Sequence, residues 1–255
     1  MVKLLAKLYG RKEYEVKSHC TVHTPAEVLE YYMMGEEPSM ELKPGTFVAP
    51  MLAKVVEKYK WPKERIYEYK YDGARYQIHK ADNLVMIFNR KGKVVNQQFT
   101  DIIEQIRQFP QQKLILDTEI YPINPDGSPA PFKEMGTRIH SKDHNKAMLE
   151  CPVKLAIFDV LLFEGVSLLG SPLSVRLQHL EKFEDRAIYA KDEDYNSFYS
   201  RAIAEGFEGI MVKNLNARYH AGKRSPHWAK HKPPRIDLDV VITGARYGEG
   251  KRGHV

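Results

Sequence analysis

Apolar and polar side chains alternate along residues 66–79, with one interruption. Three tyrosines fall on one side of an extended chain and three charged side chains on the other: Tyr67, Tyr69 and Tyr71 against Glu68, Lys70 and Asp72. Strict alternation of this kind predicts a β-strand with one packed face. At Asp72-Gly73, which is a strong turn signal, the alternation changes phase. The pattern therefore predicts two strands joined in a tight hairpin, with Lys70 near the end of the first and able to reach into a cleft.

Similar patterns predict the other elements of the fold. The predicted strands cover residues 66–71, 75–80, 84–89, 113–121, 154–163, 208–213 and 238–243. Helical patterns cover residues 100–109, 141–149, 174–184 and 194–205. A capping box at Thr24 opens one more helix, which ends near Gly35. Because the spacing is irregular and the first hairpin is tight, we predict a mixed α+β fold with mostly antiparallel sheets.

Composition narrows the class of protein. The 255 residues are 43% hydrophobic and 28% charged, which is ordinary for a soluble globular protein. No apolar run approaches the roughly 20 residues of a membrane-spanning helix, so we expect no membrane association. The two cysteines, Cys20 and Cys151, have no metal-ligand spacing and favour an intracellular, reducing compartment.

The net charge of +6 is concentrated at the C-terminal end of the sequence. From Asn214 to Val255, nine Lys and Arg residues stand against three acids, which accounts for the whole surplus. Tyr219, His227 and Trp228 are interleaved with these basic residues. Such a segment suits a phosphate-rich partner, although a solvated basic face has the same composition.

Two segments place acidic residues beside a candidate nucleophile. In "YEYKYDGAR" (67–75), Lys70 stands between carboxylates, which by itself also fits a surface ion-pair ladder. A lysine is a nucleophile only in its neutral form, and nearby carboxylates make chemical sense if a divalent cation and a triphosphate also enter. In "LDTEI" (116–120), Asp117 and Glu119 share one face of a strand, as a hard-cation or ribose-hydroxyl site requires.

Two later segments add cations. "FEGIMVK" (207–213) sets Glu208 before an apolar strand that ends in Lys213. "SPHWAKHK" (225–232) places three side chains on one face at a spacing of two: Trp228, Lys230 and Lys232. Ammonium groups in such a row suit phosphate oxygens. Each of these segments alone is a weak signal, and their order along the chain is the specific feature.

In that order the segments resemble the motifs of the covalent nucleotidyltransferases, and within them the ATP-dependent DNA ligases of the archaeal and eukaryotic replicative type. The matching segments are "APMLA", "KYDGAR", "DTEI", "AIFDVL", "EGIMVK" and "WAKHK". The resemblance covers residues 45–255 and implies an adenylation (nucleotidyltransferase) domain of mostly antiparallel sheets flanked by helices, which is ATP-grasp-like.

The resemblance implies roles for individual residues. Lys70 would attack the α-phosphorus of ATP to form lysyl-AMP, with release of pyrophosphate. Glu68 would contact the adenine amino group, and Phe158 would stack on the base, although Phe158 also fits a core position in its apolar strand. Arg75 and Glu119 would hold the ribose.

Further roles concern phosphates and metal. Arg90, in "FNRKG", would contact phosphate or the nick. Three lysines would neutralise charge at the α-phosphate during transfer: Lys213, Lys230 and Lys232. Glu119 and Glu208 would lie near a divalent metal, Mg²⁺ or Mn²⁺. Asp72 and Gly73 would shape the turn rather than touch substrate.

The same resemblance predicts the domain organisation. Residues 1–45 would be the tail of a helical DNA-binding domain plus a linker, residues 46–236 the adenylation domain, and residues 237–255 the beginning of a truncated OB-fold. On this interpretation the chain is a catalytic core that adenylates itself slowly and seals nicks poorly. The implied partners are nicked double-stranded DNA and, through regions outside this chain, a sliding clamp. We expect a monomer that is cytoplasmic in a prokaryote or nuclear in a eukaryote.

Two alternatives stay open from the sequence. An RNA ligase or an mRNA guanylyltransferase would use the same lysine chemistry with a different nucleotide or acceptor, although Glu68 beside the lysine favours adenine. A non-catalytic nucleic-acid-binding module would use the basic segment and leave Lys70 without a function.

Overall fold

The computed structural model describes residues 1–55, 61–233, 241, 243 and 244. The predicted strand 238–243 and the predicted OB-fold start at 237–255 therefore lie outside the described residues, apart from isolated positions.

Three short helices form the N-terminal unit: α1 (Val2–Leu8), α2 (Glu13–His19) and α3 (Pro25–Met33). The predicted capping box of α3 is confirmed, since Glu27 N donates to Thr24 Oγ1 over 3.2 Å and Thr24 N donates to Glu27 Oε2 over 2.6 Å. The unit has a small core of its own, built from Leu5, Ala6, Val16, Val28 and Tyr32. Val22, in the connection between α2 and α3, is buried in the main core, so that the unit is anchored on the rest of the molecule.

Two five-stranded sheets form the body of the protein. The first sheet contains, in spatial order, β1 (Leu52–Lys54), β10 (Arg224–His231), β9 (Gly209–Asn214), β2 (Arg65–Lys70) and β8 (Tyr189–Ala190). The second contains β4 (Leu84–Asn89), β3 (Ala74–Ala81), β5 (Lys113–Pro122), β6 (Val153–Phe163) and β7 (Val166–Ser167). All strand pairs are antiparallel except β1 with β10. The predicted α+β class with mostly antiparallel sheets is confirmed.

Two apolar cores position the sheets. The first contains side chains of both sheets, including the three alternating tyrosines Tyr67, Tyr69 and Tyr71, together with Phe198 of α8 (Tyr195–Ala204). The second lies against the other face of the second sheet and is covered by α4 (Thr100–Arg107) and α7 (Leu173–Leu180). The remaining helices are α5 (Met135–His140) and α6 (His144–Glu150). The predicted helices are thus found within a few residues of their expected bounds, whereas α1, α2 and α5 were not predicted.

The predicted hairpin at Asp72-Gly73 is wrong. β2 pairs with β8 and β9, and β3 pairs with β4 and β5, so the chain passes here from one sheet to the other. A Cβ added at Gly73 would overlap the carbonyl oxygen of Ile120, which explains why a glycine stands at this close approach. Asp72 Oδ2 accepts a hydrogen bond from Phe132 N over 3.0 Å. The change of phase in the sequence therefore marks a change of sheet.

Candidate active site

Two adjoining cavities lie where the two sheets meet, and most of the predicted site residues line them. The inner cavity is lined by Glu68, Lys70, Arg75, Glu119, Phe158 and Lys213, with Ala53 and Trp228. The outer cavity shares Lys70, Arg75 and Glu119 with the inner one and adds Arg90 and Lys230. Of the ten predicted side chains, eight therefore line one cavity or both. The other two, Glu208 and Lys232, lie beside the cavities. Glu208 forms an ion pair with Lys70, and Lys232 forms one with Glu208.

Lys70 is the last residue of β2 and lies at the boundary between the cavities. Its ammonium group forms an ion pair with Glu208 Oε2, and the other oxygen of that carboxylate accepts from Lys232 Nζ over 2.8 Å. Burial alone would raise the pKa of Glu208, but the hydrogen bonds from Lys232 and Lys70 hold it below its usual value. One carboxylate thus joins two lysines.

Close packing of backbones brings these three side chains together. Gly209 pairs with Lys70 across β9 and β2, and it has a φ of +146°. A Cβ at Gly209 would overlap the carbonyl oxygen of His231. Only glycine fits both the backbone conformation and the space, so the "EG" step in "FEGIMVK" sets Glu208 beside the nucleophile candidate and the end of β10.

A buried ion pair and two aromatic rings form the end of the inner cavity. Lys213 Nζ donates to Glu68 Oε2 over 2.6 Å and to the carbonyl oxygen of Phe158 over 3.3 Å. The ammonium group also lies 4.7 Å from the ring centroids of both Phe158 and Trp228. Burial raises the pKa of Glu68 to about 7, although Lys213 opposes this rise. Trp228 also lines this cavity; the sequence placed it on one face with Lys230 and Lys232 but assigned it no role in the site.

Arg75 is held rigidly at the wall between the cavities. Its Nε and Nη2 donate to the two oxygens of Asp117 over 2.8 and 2.5 Å, and its Nη1 donates to the carbonyl oxygen of Met51 over 2.6 Å. The guanidinium carbon lies 5.2 Å from the ring centroid of Phe158. Asp117, which the sequence grouped with Glu119 as a cation or ribose site, is thus fully buried and serves Arg75.

Within the part of the chain that the structure describes, the carboxylate of Glu119 forms no hydrogen bond and no ion pair. It is half-buried and faces both cavities. Burial raises its pKa to about 8, against the opposing effects of Arg75 and Lys70. A carboxylate with these surroundings is available to a cation or to a hydroxyl group.

Cations dominate the outer cavity. Its described lining includes six of them: Lys70, Arg75, Arg90, Lys91, Arg224 and Lys230. Glu119 is the only carboxylate in that described lining. Lys91 and Arg224 were not predicted, although each stands next to a basic residue in the sequence, in "FNRKG" and "GKRS". This distribution of charge suits a polyphosphate or a nucleic-acid backbone.

The first 55 residues and residues 61–233 contain no group of three or more His, Cys, Asp or Glu side chains arranged to hold a metal ion. A divalent cation here would therefore depend on one or two carboxylates together with phosphates of the substrate, which is the usual mode for Mg²⁺. Among the described residues, no helix has the length and apolar character needed to cross a membrane.

Residues 50–232 match the family model described as "ATP dependent DNA ligase domain". The chain belongs to this family. The resemblance predicted from the motifs is thereby confirmed, and an RNA ligase, an mRNA guanylyltransferase or a non-catalytic binding module is not favoured. The matched range lies inside the predicted adenylation domain, 46–236.

Curated proteins that are similar in sequence are named DNA ligase. The chain is 35% identical over 232 residues to a DNA ligase of Thermococcus fumicolans, covering 85% of this chain and 42% of that protein. It is 36% identical over 247 residues to a DNA ligase of Saccharolobus islandicus, covering 86% and 41%. The chain therefore spans about two fifths of the length of these curated relatives. A solved structure of mycobacterial DNA ligase D, complexed with ATP and MES, has a similar fold, with a TM-score of 0.58, 24% identity and coverage of 72% of this chain and 60% of that one.

Proposed function

We propose that this ligase domain uses ATP to adenylate its own Lys70, as the first step of DNA nick joining. The observation that carries the proposal is the position of Lys70 between two unlike cavities. The inner cavity has aromatic walls and a buried carboxylate, as a purine base requires, and the outer cavity is rich in cations, as phosphates require. A nucleotide that spans both would present its α-phosphate to Lys70.

In the proposed complex the inner cavity holds adenosine. Glu68 Oε2 is occupied by Lys213, which leaves Oε1 to accept from the exocyclic amino group of adenine. Phe158 would stack on the base. Arg75 and Glu119 would contact the ribose, where the free carboxylate of Glu119 is a suitable acceptor for a hydroxyl group.

The proposed reaction is a nucleophilic substitution at phosphorus. Lys70 Nζ, after its ammonium group has lost a proton to water, forms a P–N bond to the α-phosphorus while the bond from that phosphorus to the oxygen bridging to the β-phosphate breaks. The products are lysyl-AMP and pyrophosphate. Lys230 and Lys232 would neutralise charge that develops on the phosphate oxygens. Lys213 was assigned the same task from the sequence, and that role stays a prediction, since its ammonium group is paired with Glu68.

Glu119 and Glu208 would hold a Mg²⁺ or Mn²⁺ ion. The carboxylate of Glu119 is free among the described residues. Glu208 would exchange its contact with Lys70 or Lys232 for one with the ion. Such an ion supplies positive charge that offsets the phosphates and favours the neutral amine. Glu208 accepts a hydrogen bond from Lys70 in this structure, so it also sets the direction in which the amine points.

The later steps of ligation belong to the same proposal. AMP would pass from Lys70 to the 5′-phosphate of nicked double-stranded DNA, with Arg90 near that phosphate, and the 3′-hydroxyl would then displace AMP. A sliding clamp as partner, a monomeric state and an intracellular location remain predictions of the family resemblance.

Incubation with α-labelled ATP and Mg²⁺ tests the first step. The wild-type chain should acquire a covalent label that withstands alkali and is released by acid, as expected of a P–N bond, and Lys70→Ala should acquire none. Lys146→Ala, at an exposed lysine of α6 outside both cavities, is the matched control and should label normally. Labelling of Lys70→Ala at the wild-type rate would refute the assignment. GTP and NAD offered in parallel should give little label, and sealing of a nicked duplex should be assayed separately.

A further inference from the structure

Tyr219 lies beneath the nucleotide site without lining the inner cavity, and its hydroxyl group forms three hydrogen bonds. It donates to Asp117 Oδ2 over 2.6 Å. It accepts from Arg75 Nη2 over 3.0 Å and from the backbone N–H of Met51, also over 3.0 Å. A phenol group has one proton and two lone pairs, so every hydrogen-bonding position of this hydroxyl is occupied.

These bonds join three separate parts of the site. Arg75 belongs to β3 and Asp117 to β5, whereas Met51 immediately precedes β1. The segment after Met51 contributes Ala53 to the walls of both cavities. Tyr219 therefore ties the second sheet to the β1 edge of the first, beside the direct hydrogen bond from Arg75 Nη1 to the carbonyl oxygen of Met51.

Arg75 has little capacity left for substrate, which makes its exact placement important. Of its five N–H groups, Nε and both Nη2 protons are directed at Asp117 and Tyr219, and one Nη1 proton is directed at Met51. One Nη1 proton remains for a ribose or phosphate oxygen. A single directional donor contributes to binding only when its position is fixed.

The surroundings of Tyr219 also fix its ring. The side chain is 5% exposed, and its ring packs edge-on against Trp228 with a centroid separation of 5.9 Å. Its backbone N–H donates to the carbonyl oxygen of Leu169 over 3.1 Å. Burial raises the pKa of the Tyr219 phenol well above its usual value, so the group stays a hydrogen-bond donor to Asp117.

We propose that Tyr219 is a positioning residue for nucleotide binding, which acts through its hydroxyl group on Arg75 and on the β1 wall of the inner cavity. This inference rests on the proposed self-adenylation. In Tyr219→Phe the ring remains, but Arg75 Nη2 and Met51 N lose an acceptor in a buried place. Substrate binding should weaken, whereas attack by Lys70 on bound nucleotide should not change, because Tyr219 has no contact with Lys70.

The test is the rate of self-adenylation as a function of ATP concentration. In Tyr219→Phe the half-saturating ATP concentration should rise about tenfold, with the limiting rate within about twofold of wild type. Tyr67→Phe is the matched control, since Tyr67 is a buried tyrosine whose hydroxyl group accepts from Arg65 Nε over 2.8 Å and which lines neither cavity. It should leave both parameters unchanged.

A double mutant separates this role from general loosening of the fold. In an Arg75→Ala background, Tyr219→Phe should raise the half-saturating concentration by a smaller factor than it does in the wild-type background, because the part of its effect that passes through Arg75 is already lost. Multiplicative effects, or an unchanged half-saturating concentration in the single variant, would overturn the inference.

Should Tyr219→Phe fail to fold, Asp117→Asn takes its place, since it removes the carboxylate that Arg75 and Tyr219 share. It should raise the half-saturating concentration in the same way, and wild-type behaviour of this variant would equally contradict the proposal. Absence of label in the wild-type chain would instead refute the proposed function, so the two failures are distinguishable.

Discussion

Lys213 and Glu68 form an ion pair, 2.6 Å from Nζ to Oε2, inside the wall of the inner cavity, and neither side chain is more than 3% exposed. Two charges removed from water in this way depend on one another, because each alone would be buried without compensation. The pair therefore links the proposed contact with the base to the stability of the fold.

Replacement of Lys213 by methionine should destabilise the protein in a pH-dependent way. Glu68 already has its pKa raised to about 7 by burial, and loss of Lys213 raises it further. At pH 6 the folded variant can bury Glu68 in its protonated form at little cost. At pH 8 the folded variant must bind a proton at Glu68 that the unfolded chain does not bind, and this costs free energy. The free energy of unfolding should thus fall by about 3 kcal/mol at pH 8 and by less at pH 6. Urea unfolding at both pH values measures this, and the double variant with Glu68→Gln should lose most of the pH dependence.

Glu208→Gln should impair adenylation more than stability. The amide keeps the volume but loses the charge that pairs with Lys70 and Lys232 and that would hold a metal ion. We expect the rate of labelling at saturating ATP to fall about 100-fold and the Mg²⁺ concentration required to rise. Glu150→Gln, at an exposed glutamate of α6 paired with Lys146, serves as the control and should behave as wild type. Equal rates for the two variants would remove Glu208 from the proposed mechanism.

Gly73→Ala should destabilise the crossing between the sheets. The new methyl group would overlap the carbonyl oxygen of Ile120, which belongs to a β5 strand that cannot move freely. We expect a loss of about 2 kcal/mol in the free energy of unfolding, measured by urea denaturation. Gly136→Ala in α5 is the matched control, because a Cβ there meets nothing within 4 Å and alanine favours the helix. Wild-type stability of Gly73→Ala would show that the segment between the two sheets can accommodate a methyl group at this position.

His79 should make the protein sensitive to acid. It is fully buried, its Nδ1 accepts from Gly45 N over 2.9 Å, and burial lowers its pKa to about 3. Between about pH 6.5 and pH 3 the unfolded chain binds a proton that the folded chain does not, so stability is complete above pH 6.5 and is lost as the pH falls. The contribution is about 1.4 kcal/mol per pH unit in that range.

His79→Asn supplies the comparison, since its side-chain oxygen can accept from Gly45 N without titrating. Urea unfolding between pH 7 and pH 4 should show a slope smaller by one proton in this variant. Identical slopes for the two proteins would mean that His79 does not control the acid transition.

The sequence predicted individual strands better than their partners. Alternation in 66–71 and the apolar run 154–163 are local properties, and both segments are strands in the structure. Pairing is decided by contacts between distant residues, so the Asp-Gly turn was assigned to a hairpin although it connects two sheets. Short strands such as β8 and β7, with two residues each, carry too little pattern to be predicted.

For the site, too, the sequence predicted the individual residues better than the contacts between them. The motif order indicated which side chains belong together, and eight of them line the two cavities. The supporting contacts were not predictable, because nothing local distinguishes Asp117 as the partner of Arg75, or Tyr219 as the group beneath both. Lys91, in the turn after β4, and Arg224, the first residue of β10, were missed for a related reason, since which side chains near a strand end face the cavity depends on how the strands pair.

Only four residues separate Lys70, at the end of β2 in the first sheet, from Arg75, near the start of β3 in the second. This short segment is a direct covalent connection between the two sheets at the site. A connection this short limits how far Lys70, the proposed nucleophile, can move from Arg75, the proposed ribose contact, even if the far edges of the sheets move apart. The spacing in "KYDGAR" is thus a distance constraint as well as a set of residue types. Insertion of one residue after Asp72 would preserve every side chain of the site and still misalign its two halves.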